Sequence, residues 1–169
     1  MTQVTKTDYA HPETLTDTQW LEEHLNYPSI KIAEVDYNTQ SNYDIGHIPN
    51  SYLIDWKKDI NHDITRDILT IDKYKELLGR IGINNDDDTT LILYGDFNNW
   101  FAAFAFWVFK YYGYKDVKLL NGGRKKWLEE DRPLTNDIPS KGYGIFKKEQ
   151  SIEVDNNVAF LNDIKSVGF

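Results

Sequence analysis

The chain has 169 residues, a formal net charge of −8 and no cysteine. This length fits one domain, which can bury a sufficient core without a disulfide or a structural metal. The missing cysteine excludes disulfides, thiolate metal sites and thiol catalysis together. The negative charge argues against a general surface for nucleic acid or anionic membranes, because both need clustered Lys and Arg.

The apolar residues give no sign of a membrane protein. No run approaches the about 18 uncharged apolar positions of a membrane span, and the first residues lack the apolar core of a secretory signal. The most apolar stretch, residues 100–108, is about half as long as a span and is better explained as a helix packed on a sheet. We therefore expect a cytoplasmic protein without nucleic-acid or membrane partners.

Helical and alternating apolar patterns follow one another along the chain. After an irregular segment, residues 1–13, Thr16 can cap the first helix with its hydroxyl, and Gly82 and Pro133 stand where later helices end. The alternation predicts an α/β fold with a mainly parallel sheet and helices on both faces. The predicted elements are, in chain order, a helix over 16–25, strands at 30–36 and 51–54, a helix over 72–80, a strand at 90–94, a helix over 100–112, a strand at 117–120 and a helix over 125–130.

The loop after the predicted strand 90–94 has the position of an active site without a reactive group. Ligands of α/β folds bind at the carboxyl ends of strands, where helix N-termini present backbone N–H groups. No residue of this loop is Cys, Ser, Lys or His, and we interpret Asp96 as a structural residue that caps the helix or binds loop amides. The loop consists of Gly95, Asp96, Phe97, Asn98, Asn99 and Trp100.

The end of the chain has a composition of its own. Residues 136–150 are rich in Gly, Pro and Lys and are predicted to be a linker. Residues 155–164 form a capped amphipathic pattern similar to that of the first helix. We expect residues 151–169 to be the start of a truncated second domain.

Two segments resemble a known family. Residues 43–49, Y-D-I-G-H-I-P, resemble the Y-x-x-G-H-I-P signature of rhodanese domains, and residues 117–127 resemble their closing strand, double glycine and helix. The resemblance covers residues 14–135 and implies a rhodanese-like α/β domain. The linker and the following helix resemble the join in tandem thiosulfate sulfurtransferases, which pair a non-catalytic N-terminal domain with a catalytic C-terminal one. Four residues depart from the family pattern, and we expect them to change only surface detail. Asn50 and Ser51 stand where the family often has Gly-Ala, and Arg124 and Lys126 stand where it often has Trp and Glu.

The resemblance also gives Gly95 a meaning. In catalytic rhodaneses the corresponding residue is a cysteine, whose thiolate takes sulfane sulfur from thiosulfate. Such chemistry needs a thiolate of low pKa in positive surroundings, whereas here Gly95 is followed by Asp96. The resemblance therefore implies a vestigial active-site loop at 95–100, no catalytic residue, no cofactor and no metal. It implies a catalytic rhodanese domain as the partner, on a missing C-terminal half or on a separate chain.

Two other functions are open at this point. The chain could be an autonomous binding or regulatory module on an inactive rhodanese scaffold, with exposed Phe97, Trp100 and Tyr112 as its partner surface. Hydrolysis or metal chemistry is disfavoured because the candidate residues have no ligand spacing, and a lone His47 is expected to bond the backbone. If a catalytic domain is the partner, residues 151–169 and the loop should face it, and Arg66 could help to attract an anion. The disfavoured candidates are Asp36, His47, Asp55, His62 and Asp63.

Overall fold

A computed structural model describes residues 9–65, 67–84 and 88–140. Within them, five strands form one parallel sheet in the order β1-β5-β4-β2-β3. This confirms the predicted α/β fold with a parallel sheet. The strands are β1 Leu15–Thr16, β2 Ile30–Asp36, β3 Ser51–Asp55, β4 Thr90–Tyr94 and β5 Val117–Leu120, and the helices are α1 Thr18–His24, α2 Ile71–Arg80, α3 Trp100–Tyr111 and α4 Gly123–Glu129.

Helices cover both faces of the sheet. Successive side chains of a strand point to opposite faces, so Leu91 and Leu93 of β4 join the core beneath α2 and α3. Ile92 and Tyr94 join a smaller core beneath α1 and α4. The larger core receives Ala102, Ala105, Val108 and Phe109 from α3 and Tyr74, Leu77 and Leu78 from α2. The smaller one contains Leu21, Ile32, Ile48, Ile92, Tyr94, Leu120 and Trp127.

The first helix begins later than predicted. Asp17, not Thr16, is its N-cap, and the Asp17 carboxylate accepts a hydrogen bond of 2.7 Å from the amide of Trp20. Thr16 is buried in β1, where it pairs with Leu120. The prediction missed β1 because two residues are too few to show a periodic pattern.

A turn of π-helix, Trp56–Ile60, follows β3 and was not predicted. The Asp55 carboxylate accepts hydrogen bonds from the amides of Lys57 and Lys58, at 3.0 and 3.2 Å. These bonds satisfy amides that the first turn of a helix leaves free. The turn brings Trp56 alongside Tyr37, which lies just after β2, with 5.9 Å between their ring centroids.

The segment after α4 returns to the turn around His47. The amides of His47 and Thr135 each donate to the carbonyl of the other, at 2.9 and 2.8 Å. The His47 ring is buried and stacks on Tyr43, and its two nitrogens lie 2.9 Å from the carbonyl oxygen of Tyr43 and 3.0 Å from that of Asp137. The expectation that His47 bonds the backbone is confirmed.

Two sequence-based expectations concern the end of the chain and its relation to membranes. The second domain at 151–169 and most of the linker at 136–150 lie outside the described residues, so both stay predictions. In the described part of the chain, no helix has the length and apolarity to cross a membrane.

Candidate functional site

The loop 95–100 lies at the carboxyl edge of the sheet and is fastened to its neighbours there. The amide of Arg124 donates to the carbonyl of Gly95 at 3.0 Å, which ties the loop to the start of α4. The Asn99 side chain donates from Nδ2 to the carbonyl of Leu120 at 2.7 Å, which ties it to the end of β5. The loop therefore occupies the edge at which α/β folds bind their ligands.

The backbone of the loop has an unusual conformation. Phe97, Asn98 and Asn99 have φ angles of 51°, 54° and 63°, in the left-handed region. This conformation costs about 1–2 kcal/mol for each such residue, least for Asn. The surrounding contacts must therefore stabilise it, and Oδ1 of Asn99 accepts a hydrogen bond of 3.0 Å from the amide of Gly95.

Asp96 does not have the expected capping role. Its side chain makes no capping hydrogen bond, so the expectation that Asp96 caps the helix is wrong. The carboxamide of Asn99 binds a loop amide instead, because Asn99 stands directly before α3 and reaches back over the loop.

Two glycines fit closely around Asn99. Gly95 is buried, and a Cβ atom added to it would stand 2.5 Å from the carbonyl oxygen of Val35 in β2. Gly123 has a φ of 57°, and its added Cβ would overlap Oδ1 of Asn99 and stand 2.9 Å from the carbonyl oxygen of Gly95. Neither position can accept a side chain without movement of its neighbours.

Beneath the loop lies a buried ion pair that sequence reasoning missed. Ser51 and Arg124 were expected to change only surface detail, but both are buried, so that expectation is wrong for both. Arg124 is 5% exposed. Its Nη1 donates to Oε1 of Glu34 at 2.7 Å, and its Nη2 donates to the carbonyl of Gly46 at 2.6 Å. The hydroxyl of Tyr94 donates to the other oxygen of Glu34. The sequence contained one signal for this pair, namely Glu34 in the middle of a predicted strand. A strand of a parallel sheet is buried on both faces, so an acid there needs a partner.

A second carboxyl group, that of Asp36, is near Glu34. Burial raises the pKa of Glu34 to about 8, helped by the charge of Asp36 and opposed by Arg124. Burial also raises the pKa of Asp36 to about 6, against a hydrogen bond from the amide of Tyr43 and the charge of Arg124. Burial therefore favours the protonated form of each carboxyl group, and the charge of Arg124 offsets part of this effect. Their burial suits a structural role.

An aromatic surface, which we define as Tyr37, Phe97 and Trp100, extends from the loop into solvent. These side chains are 46%, 60% and 74% exposed. All three pack around Phe101, with ring centroids 5.5, 5.8 and 6.3 Å from its own. Trp56 contacts both Tyr37 and Phe101. Grouped exposed aromatic rings are typical of protein interaction sites.

Lys57 places a positive charge beside the aromatic surface, whereas Tyr112, which was predicted to belong to a partner surface, is not part of it. Nζ of Lys57 lies 4.1 Å from the centroid of the Tyr37 ring, a distance at which a cation is attracted to the ring face. Tyr112, expected as a possible part of a partner surface, is only 8% exposed, and its hydroxyl donates to the carbonyl of Leu69 at 2.6 Å. Tyr112 belongs to the core.

The residues considered for hydrolysis or metal chemistry have local roles. His62 accepts amide hydrogen bonds within its own turn, Asp63 pairs with Lys73, and Asp55 binds amides of the π-helical turn. Among the described residues, no group of three or more His, Asp or Glu could hold a metal ion. Arg66 lies outside the described residues.

Comparison with known proteins identifies the family. A profile of the rhodanese-like domain matches residues 17–130, which include the four α-helices of the described residues and every strand described there but β1. The chain belongs to the rhodanese-like domain family. The loop 95–100 and the buried pair Glu34–Arg124 therefore both lie inside the matched rhodanese-like region.

Several curated rhodanese-family relatives are about twice as long as the part they share with this chain. The chain is 52% identical to the sulfur carrier protein TtuD of Thermus thermophilus over 132 residues, which are 78% of this chain and 45% of TtuD. It is 44% identical to the putative thiosulfate sulfurtransferase SseA of Mycobacterium tuberculosis over 146 residues, which are 85% of this chain and 48% of the relative. The chain thus spans about half the length of the curated relatives it matches.

Solved structures confirm the rhodanese fold. The chain superposes on YnjE with a TM-score of 0.69 and 29% identity, covering 80% of this chain and 34% of YnjE. It superposes on the 3-mercaptopyruvate sulfotransferase SseA of Escherichia coli with a TM-score of 0.73 and 23% identity, covering 91% of this chain and 61% of that one. At that identity, the second match concerns the fold alone.

Proposed function

We propose that this chain is the non-catalytic N-terminal domain of a tandem rhodanese, with a vestigial active-site loop at 95–100. It works with a catalytic rhodanese domain that transfers sulfane sulfur. The observation that carries the proposal is that a loop without a thiol lies at the carboxyl edge of the sheet, next to the exposed aromatic surface. A cytoplasmic location stays a prediction from the sequence.

The chemistry supports an inactive loop. Sulfur transfer through a persulfide needs a thiolate, and the chain contains no cysteine. Gly95 offers no side chain, and Asp96 adds a negative charge that disfavours an anion such as thiosulfate in the loop. The catalytic group must therefore come from elsewhere.

The aromatic surface supports a domain as the partner. Tyr37, Phe97 and Trp100 present large rings whose rotation is already limited by contact with Phe101, so that little conformational entropy is lost on binding. Curated relatives extend well beyond the shared region, and this additional length could supply the catalytic domain that covers the surface. Lys57 and the exposed Lys58 would then lie near the rim of a shared cleft, where positive charge attracts an anionic sulfur donor.

The alternative is an autonomous binding or regulatory module whose partner has no rhodanese fold. The same aromatic surface favours it, since exposed rings fit more than one kind of protein partner. The two candidates differ in what the surface recognises. Binding to a purified catalytic rhodanese domain, measured by calorimetry, supports the first and opposes the second.

The decisive experiment is a thiosulfate:cyanide sulfurtransferase assay in three arms: the chain alone, a cysteine-bearing catalytic rhodanese domain alone, and an equimolar mixture. We expect no turnover by the chain alone and a change in the KM or kcat of the catalytic domain in the mixture. Turnover by the purified chain alone would overturn the proposed function. An unchanged KM and kcat, together with no binding heat, would also count against it.

A further inference from the structure

The loop 95–100 lacks a nucleophile, and at Gly95 it also has little room for a side chain. We propose that β2 and Asn99 together block the loop, so that a cysteine restored at position 95 could not act in sulfur transfer. The inference rests on the proposed function in one respect, namely that Gly95 stands where catalytic relatives carry their cysteine.

The first block is the backbone of β2. A Cβ atom on Gly95 would lie 2.5 Å from the carbonyl oxygen of Val35, a separation that real Cβ atoms essentially never show. Val35 cannot move away easily, because it lies in a strand between β3 and β4 and pairs there with Ile54. On another side, the Cβ of Ala102 would be 3.8 Å away. A side chain at position 95 must therefore displace the loop itself.

The second block is the carboxamide of Asn99. Its Oδ1 takes the hydrogen bond from the amide of Gly95, and its Nδ2 binds the carbonyl of Leu120. A loop that binds an anion must offer free N–H groups to it. Here the amide of the nucleophile position is already bound by a neutral side chain, and Gly123 leaves room for that side chain by having none of its own.

Both blocks act on the same chemical step. In sulfur transfer from thiosulfate, a cysteine thiolate attacks the sulfane sulfur and forms a new S–S bond. The S–S bond of thiosulfate breaks, and sulfite leaves with the electron pair. The attack requires a thiolate with room at position 95 and a loop amide free to bind the anion. A side chain at that position meets the carbonyl oxygen of Val35, and the amide of the same residue is already bound by Asn99.

The absence of any other thiol gives a clean test, since one introduced cysteine is the only thiol in the protein. Gly95→Cys is compared with Asn98→Cys, a neighbouring loop position that is exposed. We expect Asn98→Cys to react with iodoacetamide at the rate of a free thiol. We expect folded Gly95→Cys to react at least about 100-fold more slowly, through local opening only, and to form no persulfide with thiosulfate, as read by mass spectrometry.

Since unfolding of Gly95→Cys would prevent this comparison, Gly95→Ala is measured as well. We expect Gly95→Ala to lower the thermal midpoint by about 6–10 °C, and Asn98→Ala by no more than about 4 °C. Two results would overturn the proposed block at position 95. One is a Gly95→Ala variant as stable as Asn98→Ala, and the other is a folded Gly95→Cys variant that carries persulfide. Neither result bears on the proposed function. That proposal is overturned only if the cysteine-free chain shows turnover or fails to bind a catalytic domain.

Discussion

Arg124 is the residue on which the buried charges depend. Replacing it by Leu leaves Glu34 and Asp36 without a cation and the carbonyl of Gly46 without its donor. Removal of one partner from a buried ion pair costs about 3–5 kcal/mol, and we expect Arg124→Leu to lower the free energy of unfolding by that amount in urea titrations. The control is Lys125→Leu, which removes the same charge from an exposed pair and should cost less than about 1 kcal/mol. Equal losses in the two variants would contradict the structural role.

The same cluster predicts how stability depends on pH. Glu34 has a pKa of about 8 in the folded chain, above its ordinary value of 4.5, so the folded state binds this proton more tightly than the unfolded state. The stability that protonated Glu34 contributes is fully present below about pH 4.5 and is lost as the pH rises through about 8. Asp36 contributes stability in the same way, and its contribution is lost as the pH rises through about 6. We expect Glu34→Gln to remove the slope between pH 6 and 8 in urea titrations. Parallel profiles of the two proteins would refute the assignment.

At the scale of elements, Asn99 and Gly123 join the β4–α3 loop to the start of α4. We expect Gly123→Ala to cost more than about 2 kcal/mol, because the new methyl group meets Asn99 and φ is positive. Gly82→Ala, also at positive φ, controls for φ alone and should cost about 1 kcal/mol. In Asn99→Ala/Gly123→Ala the overlap is relieved, so the double variant should lose at least about 1 kcal/mol less than the sum of the single losses. Additive losses in urea titrations would contradict the contact.

Comparison of the predicted and observed elements shows which parts of this structure the sequence predicts. Alternation in residues 30–36 and short apolar runs elsewhere identified the four longer strands, and they placed the loop 95–100 at the correct edge. β1 was too short for a pattern, and the cap moved from Thr16 to Asp17 because both residue types can serve. The contact between Glu34 and Arg124 joins residues 90 positions apart, which no local pattern records. Asn98 and Asn99 tolerate left-handed φ angles, but only the fold reveals that they adopt them.

At the scale of the whole molecule, the aromatic surface should matter for association and little for folding. We expect Trp100→Ser to weaken the binding of a catalytic rhodanese domain about 10- to 100-fold, as loss of a large interface ring commonly does. The free energy of unfolding should change by less than about 0.5 kcal/mol, since Trp100 is 74% exposed. The control is Leu128→Ser on α4, which is exposed but lies outside the aromatic surface. If calorimetry finds equal affinities for the two variants, the aromatic surface is not part of the interface.

The two-residue strand β1 has a consequence for where the folded unit begins. Leu15 and Thr16 pair with Leu119 and Leu120 and so cover the outer margin of β5, whereas the family profile starts only at residue 17. A polypeptide trimmed to the profile would expose a row of unpaired amides and carbonyls beside apolar side chains, which invites self-association into larger species. The physical boundary of this fold therefore precedes residue 17, at which the family profile begins.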